Sequence, residues 1–210
     1  MSLPNAAPWD RRYAAAEFYY GTAPNDFLLE VEAHLPRGGH VLCLGEGEGR
    51  NAVFLAQRGH TVTAVDQSQV GLDKAVRLAA ERGVAIRTLA ADLDHWDLAA
   101  AAPVGGWDAI VSIWCHLPEA IRPGLHQRII AALRPGGVFV LEAYRPEQLA
   151  LGTGGPPTAD LLPTLAELRR DFASLDLEIS RDPQRDVREG RGHDGMSAVV
   201  ELVARKPANP

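Results

Sequence analysis

The 210-residue sequence predicts an α/β fold: a doubly wound, mostly parallel seven-stranded sheet with a C-terminal antiparallel hairpin and an N-terminal helical lid. Three observations lead there. A short apolar run, Val41 to Leu44, breaks at Gly45, Gly47 and Gly49 and gives way to a helical pattern from Asn51. A β-branched run from Thr61 ends in a carboxylate, Asp66. Apolar runs and helical patterns then alternate as far as Pro135, which implies parallel strands joined by right-handed crossovers.

The first forty residues are aromatic-rich, with Trp9, Tyr13, Phe18, Tyr19 and Tyr20. Helical character runs from Trp9 to Phe18, Tyr20 to Asn25 reads as a turn, and Asn25-Asp26 caps a helix from Phe27 to His34. Clustered aromatics are core in most folds, but a segment that precedes the first strand is also placed to cover a ligand edge. Strand, glycine turn and helix in succession form a Rossmann-like unit, in which glycines admit close backbone approach and the helix start offers free N–H groups. After Asp66, a helix spans about Val70 to Glu81 and a third strand Val84 to Leu89. The stretch from Asp97 to Gly106 is a short helix or a loop. Trp107 to Trp114 is the fourth strand, Pro118 or Glu119 to Leu133 a helix, and Val138 to Tyr144 the fifth strand. Gly152 to Pro157 reads as a flexible loop and Leu161 to Phe172 as a helix. Leu175–Arg181 and Ser197–Lys206 make the closing hairpin, with the charged segment Arg181 to Arg191 between them a solvated loop. One domain over 1–210 is expected, with a helical cap (1–38), a cofactor-binding core (39–145) and a substrate-side region (146–210).

The composition, 46% hydrophobic and 23% charged, is that of an ordinary globular protein rather than a disordered chain. A net charge of -6 speaks against a nucleic-acid partner, which calls for a basic surface. No run is long enough to span a membrane, and the N-terminus lacks the apolar core of a secretion signal, so a cytoplasmic location is expected. Cys43 and Cys115 then read as reduced thiols, and no Cys/His cluster has metal-ligand spacing. Nothing in the sequence distinguishes a monomer from a homodimer.

Five elements in order carry a resemblance: Gly45-Glu-Gly-Glu-Gly49, Asp66, Ala91-Asp-Leu93, Trp107-Asp-Ala-Ile-Val-Ser112 and Leu133-Arg-Pro-Gly-Gly137. Together they resemble the class I S-adenosylmethionine (SAM)-dependent methyltransferases. The words Gly47 to Ala52 and Tyr20 to Asn25 look like the tellurite-resistance (TehB-like) and thiopurine methyltransferase-like group. The resemblance implies SAM as cofactor, the glycine loop packed on its methionine part, Asp66 on the ribose hydroxyls, Asp92 on the adenine amine and Leu93 over the ring. Asn51 and Gln67 flank that site. One departure stands out: Cys43 occupies the position where the class carries an acid, and Glu46 or Glu48 is the available substitute.

The residues themselves argue the same way. A dinucleotide enzyme wants G-x-G-x-x-G, but Arg50 takes the place of the last glycine, and Glu46 and Glu48 would repel a pyrophosphate. Strand ends four and five nominate Ser112, Trp114, His116 and Tyr144 for the acceptor side. His116 is the candidate general base, with a structural histidine as the alternative, and Tyr20 and Tyr144 are the other catalytic candidates. Tyr13 and Tyr20 are placed to close the pocket, and Arg12 or Arg50 to hold the cofactor carboxylate, surface pairing being the plain reading of both arginines. His193 reads as a turn histidine with possible reach to the pocket. The expected activity is methyl transfer to a small molecule, a soft nucleophile such as a thiol or a selenium or tellurium oxyanion among the candidates. The alternatives are a non-catalytic SAM- or nucleoside-binding regulator and, below it, an NAD-dependent oxidoreductase.

Overall fold

The computed structural model describes Leu3 and residues 6–208. Its sheet runs β1 (His40–Leu44), β2 (Thr61–Asp66), β3 (Arg87–Ala90), β4 (Trp107–Ile113), β5 (Leu133–Tyr144), β6 (Asp176–Arg181), β7 (Gln184–Glu189) and β8 (His193–Arg205). The spatial order is β3-β2-β1-β4-β5-β8-β6, with β7 paired to β8 off that path. β1 to β5 are parallel, and β8 enters antiparallel between β5 and β6. The topology reverses between β1 and β4, the switch point where open α/β sheets hold ligands beyond the carboxyl ends of their strands.

Strand alternation sends side chains to two layers. Leu42, Leu44, Ile110, Phe139 and Leu141 face one core with α5 (Arg122–Ala132) and α6 (Leu165–Asp171). Val41, Cys43, Ala109, Val111, Val138 and Val140 face the other, under α2 (Asp26–Val31) and α3 (Arg50–Gln57). Both faces are buried, so the strands read as continuous apolar runs.

Several boundaries depart from the sequence reading, among them β3, which starts at Arg87, and α6, which starts at Leu165. The first helix, α1, covers Ala7–Tyr13 and stops short of Phe18. Lys74 Nζ, on α4 (Gln69–Glu81), takes the carbonyls of Tyr13, Ala15 and Glu17, so those groups have a partner other than a helical amide. Residues 134–137 form a bulge inside β5: Trp107 pairs with Leu133, and Ala109 already with Val138. α5 starts at Arg122, since 118–121 make a turn closed by the Ile121 amide on the Pro118 carbonyl, and Pro123 stands in the helix's first turn. Among the described residues the strands number eight, not seven. The charged segment expected as a solvated loop is β7, paired with the first half of β8 from Gln184↔Ala198 to Glu189↔His193. β8 thus runs out of the main sheet and carries a hairpin past the strand ends.

Gly49 fixes how the glycine loop meets its helices. It holds φ +92, and a Cβ there would lie 2.4 Å from Ala75 Cβ on α4. Gly49→Ala should destabilise the protein by about 2–4 kcal/mol, from the left-handed backbone and the overpacked contact together; chemical denaturation measures it.

Candidate active site

A cavity of about 490 Å³ opens at the carboxyl ends of β1, β2 and β4. Of the sequence candidates, Arg12, Tyr20, Gly45, Glu46, Asn51, Asp66, Gln67, Asp92, Leu93 and His116 line it. Gly47, Gly49, Ser112 and Tyr144 do not. Gly47 lies beneath the Tyr13 hydroxyl, where a Cβ would sit 2.7 Å from it, and Gly49 packs on α4. Ser112 is buried, and Tyr144 is fully enclosed behind the wall.

Asp66 organises the end of the cavity beside the glycine loop. Its Oδ2 accepts the Gly47 amide and its Oδ1 the Ser68 amide, each at 2.8 Å, so the glycine loop is folded onto the tip of β2. Burial raises its pKa, and the amides of Ser68, Gly47 and Gln67 pull it back. At Gly45, φ is +61 and a Cβ would meet Cys115 Sγ at 2.7 Å, which leaves bare backbone at the loop's start. The Asp92 carboxylate accepts the Asp94 amide at 3.0 Å in the turn after β3.

The two loop glutamates have different tasks. Glu46 Oε1 accepts the Ala52 amide at 2.8 Å at the start of α3, and the buried Cys43 thiol hydrogen-bonds its carboxylate. Glu46 therefore occupies, from three residues on, the space above the position where an acid was expected. Glu48 turns the other way: it pairs with Lys74 and accepts the Tyr19 amide at 2.7 Å. That fastens the segment after α1 over the cavity.

The opposite wall is aromatic. Trp114 ends β4 with φ 57, the one non-glycine residue with positive φ among the described residues, and such backbone strain gathers at functional sites. Its ring stacks on Tyr144 at 4.4 Å and on His193 at 4.8 Å, and His193 stacks on Tyr20 at 4.7 Å. Arg12 donates to the Tyr20 hydroxyl at 2.9 Å and remains in the cavity wall. Arg50, by contrast, pairs with Glu189 and donates to the Ala23 carbonyl at 3.2 Å. Glu189 also accepts from Trp114 Nε1 at 2.6 Å and from the Asn25 amide group at 2.8 Å. Arg185 grips Glu142 with two bonds, 2.7 and 2.8 Å.

His116 is committed to structure. Its Nε2 accepts the Tyr144 backbone amide at 3.0 Å, and the ring bonds the Trp114 carbonyl. Burial lowers its pKa to about 4. Local sequence did not disclose Glu189 or Arg185, whereas His193, read as a turn histidine with reach to the pocket, does line the cavity.

The model of the methyltransferase domain family matches residues 41–137. The 2-heptyl-1-hydroxyquinolin-4(1H)-one methyltransferase of Mycobacteroides abscessus is 30% identical over 178 residues, 81% of this chain and 73% of that protein. This chain belongs to the SAM-dependent methyltransferases. Solved structures share the fold. TehB from Haemophilus influenzae aligns with TM-score 0.68 at 17% identity over 96% of this chain and 66% of its own. The N-methyltransferase NodS from Bradyrhizobium japonicum, in complex with S-adenosylhomocysteine, aligns with TM-score 0.68 at 15% identity over 96% and 98%. A protein from a study of disulfide-to-thioacetal conversion in echinomycin biosynthesis gives TM-score 0.75 at 20% identity over 98% and 91%.

The residues of the methyltransferase fit SAM. Glu46, Asp66 and Asp92 put three acidic side chains without a cation partner among the described residues in the cavity wall, a setting suited to a sulfonium and an ammonium and hostile to a pyrophosphate. Among the described residues no group of His, Cys, Asp and Glu converges to hold a metal, and no helix is long and apolar enough to cross a membrane.

Burial raises Glu46 from 4.5 to about 7, with the Ala52 amide, Arg50 and the Asn51 amide opposing and Asp66 adding to the rise. The folded state therefore keeps a proton that the unfolded chain releases, and stability falls as pH rises from about 4.5 to about 7. Glu46→Gln should flatten that decline by up to about 1.4 kcal/mol per pH unit; thermal melts across the window check it.

Proposed function

We propose that this methyltransferase acts on a planar aromatic small molecule and methylates a hydroxyl on it. The aromatic wall carries the proposal: Tyr20, His193 and Trp114 stack in sequence along the cavity, with Leu117, Pro156, Pro157 and Leu161 as its apolar surroundings. Flat rings gain most from such a surface, through offset stacking as well as buried area. The relative that methylates 2-heptyl-1-hydroxyquinolin-4(1H)-one supports the same class of acceptor.

SAM, when bound, supplies an electrophilic methyl group on a sulfonium. The chain's part is to hold and orient. Asp66 takes the ribose hydroxyls with the lone pairs its backbone amide bonds leave free. Asp92 and Leu93 take the adenine, the backbone at Gly45 the methionine part, and Arg12 its carboxylate. Glu46 faces the ammonium in place of the missing acid, while Asn51 and Gln67 complete the wall. Tyr20 covers the acceptor, and Tyr144 acts from behind His193 rather than by contact. Closing Tyr13, Tyr19 and Tyr20 over the cavity excludes water and fixes the approach of the reactants, the main source of rate in a direct displacement.

A soft acceptor is the second reading. A thiolate or a selenium or tellurium oxyanion needs no base, and His116 has its nitrogens engaged. Methyl transfer from labelled SAM to 2-heptyl-1-hydroxyquinolin-4(1H)-one, thiophenol, selenite and tellurite separates the two. The quinolone should be the best acceptor by at least about tenfold in kcat/KM, on the scale of one good contact. A higher value for thiophenol, selenite or tellurite would overturn the aromatic-hydroxyl reading. Asp66→Asn should weaken S-adenosylhomocysteine binding by about 10- to 100-fold in calorimetry, the cost of about 1.5–3 kcal/mol for a bond to a charged group.

A further inference from the structure

His193 is 5% exposed, held between two rings, and bonded through Nδ1 to the Tyr144 hydroxyl at 2.8 Å. Its Nε2 has no protein partner among the described residues, yet it is not among the buried atoms cut off from solvent. Since the residue lines the cavity, that nitrogen opens into it.

The two ring nitrogens therefore have different surroundings: Nδ1 is occupied by the Tyr144 hydroxyl, and Nε2 faces the cavity. Where Nδ1 carries the ring proton and donates it to the Tyr144 oxygen, Nε2 is a bare lone pair.

We propose that His193 takes the proton from the acceptor hydroxyl at Nε2, with the Tyr144 hydroxyl bonded to Nδ1 holding the ring in that orientation. The inference rests on the hydroxyl-acceptor reading above. The O–H bond breaks toward Nε2, which gains an N–H bond. The oxygen's electron pair forms the new O–CH₃ bond, the S–CH₃ pair returns to sulfur, and the imidazolium later gives its proton to water. Burial first, then Arg50, His116 and Arg12, lower the pKa of His193 to about 3, against the pull of Glu189. A weak base suffices, because an oxygen that gains a methyl while keeping its proton becomes an oxonium, a strong acid. The same low value keeps the ring neutral and ready at physiological pH.

Two measurements test this. Nitrogen-15 NMR of histidine-labelled wild-type protein should show His193 neutral and protonated on Nδ1, and Tyr144→Phe should convert it to a mixture of tautomers. An Nε2-protonated ring in the wild type would overturn the proposal, whatever the acceptor. With 2-heptyl-1-hydroxyquinolin-4(1H)-one, His193→Ala should lower kcat about 100-fold or more, the usual worth of a positioned base. KM and S-adenosylhomocysteine affinity should stay within about threefold, and turnover of pre-ionised thiophenol should fall far less. Equal losses on both acceptors would mark His193 as structural and sink the proposal. A wild type that ignores the quinolone would instead defeat the acceptor reading and leave the tautomer result to decide His193.

Discussion

The structure hangs on two buried carboxylates and the cations that neutralise them. Glu142, at the end of β5, and Glu189, at the end of β7, are both shut away from solvent. Arg185 clamps the first, Arg50 the second, and the Asn25 side-chain amide bridges them at 2.5 and 2.8 Å. Five parts of the chain meet there: the segment before α2, the start of α3, β5, β7 and, through Trp114, the end of β4. Burial pushes Glu142 up to about 7 against the attraction of Arg185. Removing any one partner would leave an uncompensated charge in a low dielectric, which costs about 3–5 kcal/mol. Such a node holds its members in one arrangement, and that arrangement is the aromatic wall.

Much of this was legible because it is local. A glycine run after an apolar strand, and a carboxylate closing the next strand, are contiguous patterns, and Gly45 and Asp66 do meet at one end of the cavity. β7 was not legible, because Gln184-Arg-Asp-Val-Arg-Glu189 alternates charge like a solvated loop. What makes it a strand is pairing with the first half of β8 and with partners remote in sequence, 43 residues off for Glu142 and 139 for Arg50. His116 shows the same limit. A histidine two residues before a proline at a strand end reads as a base or as a structural ring; the amide bonded to it belongs to Tyr144, 28 residues on.

Cys43 is resolved by the same distinction. As a departure from the family pattern it pointed to a gap in the site. In three dimensions its thiol bonds Glu46, and the carboxylate reaches the loop from the other side of the turn. A carboxyl group three positions on thus stands beside the loop, bonded to the Ala52 amide.

The Glu48–Lys74 pair has a consequence for traffic through the site. The segment that covers the cavity is fastened to both members, by the Tyr19 amide to Glu48 and by the carbonyls of Tyr13, Ala15 and Glu17 to Lys74. Any passage that requires the cover to lift must break these bonds and bare the buried pair, whose attraction mobile ions hardly screen while the cover is down.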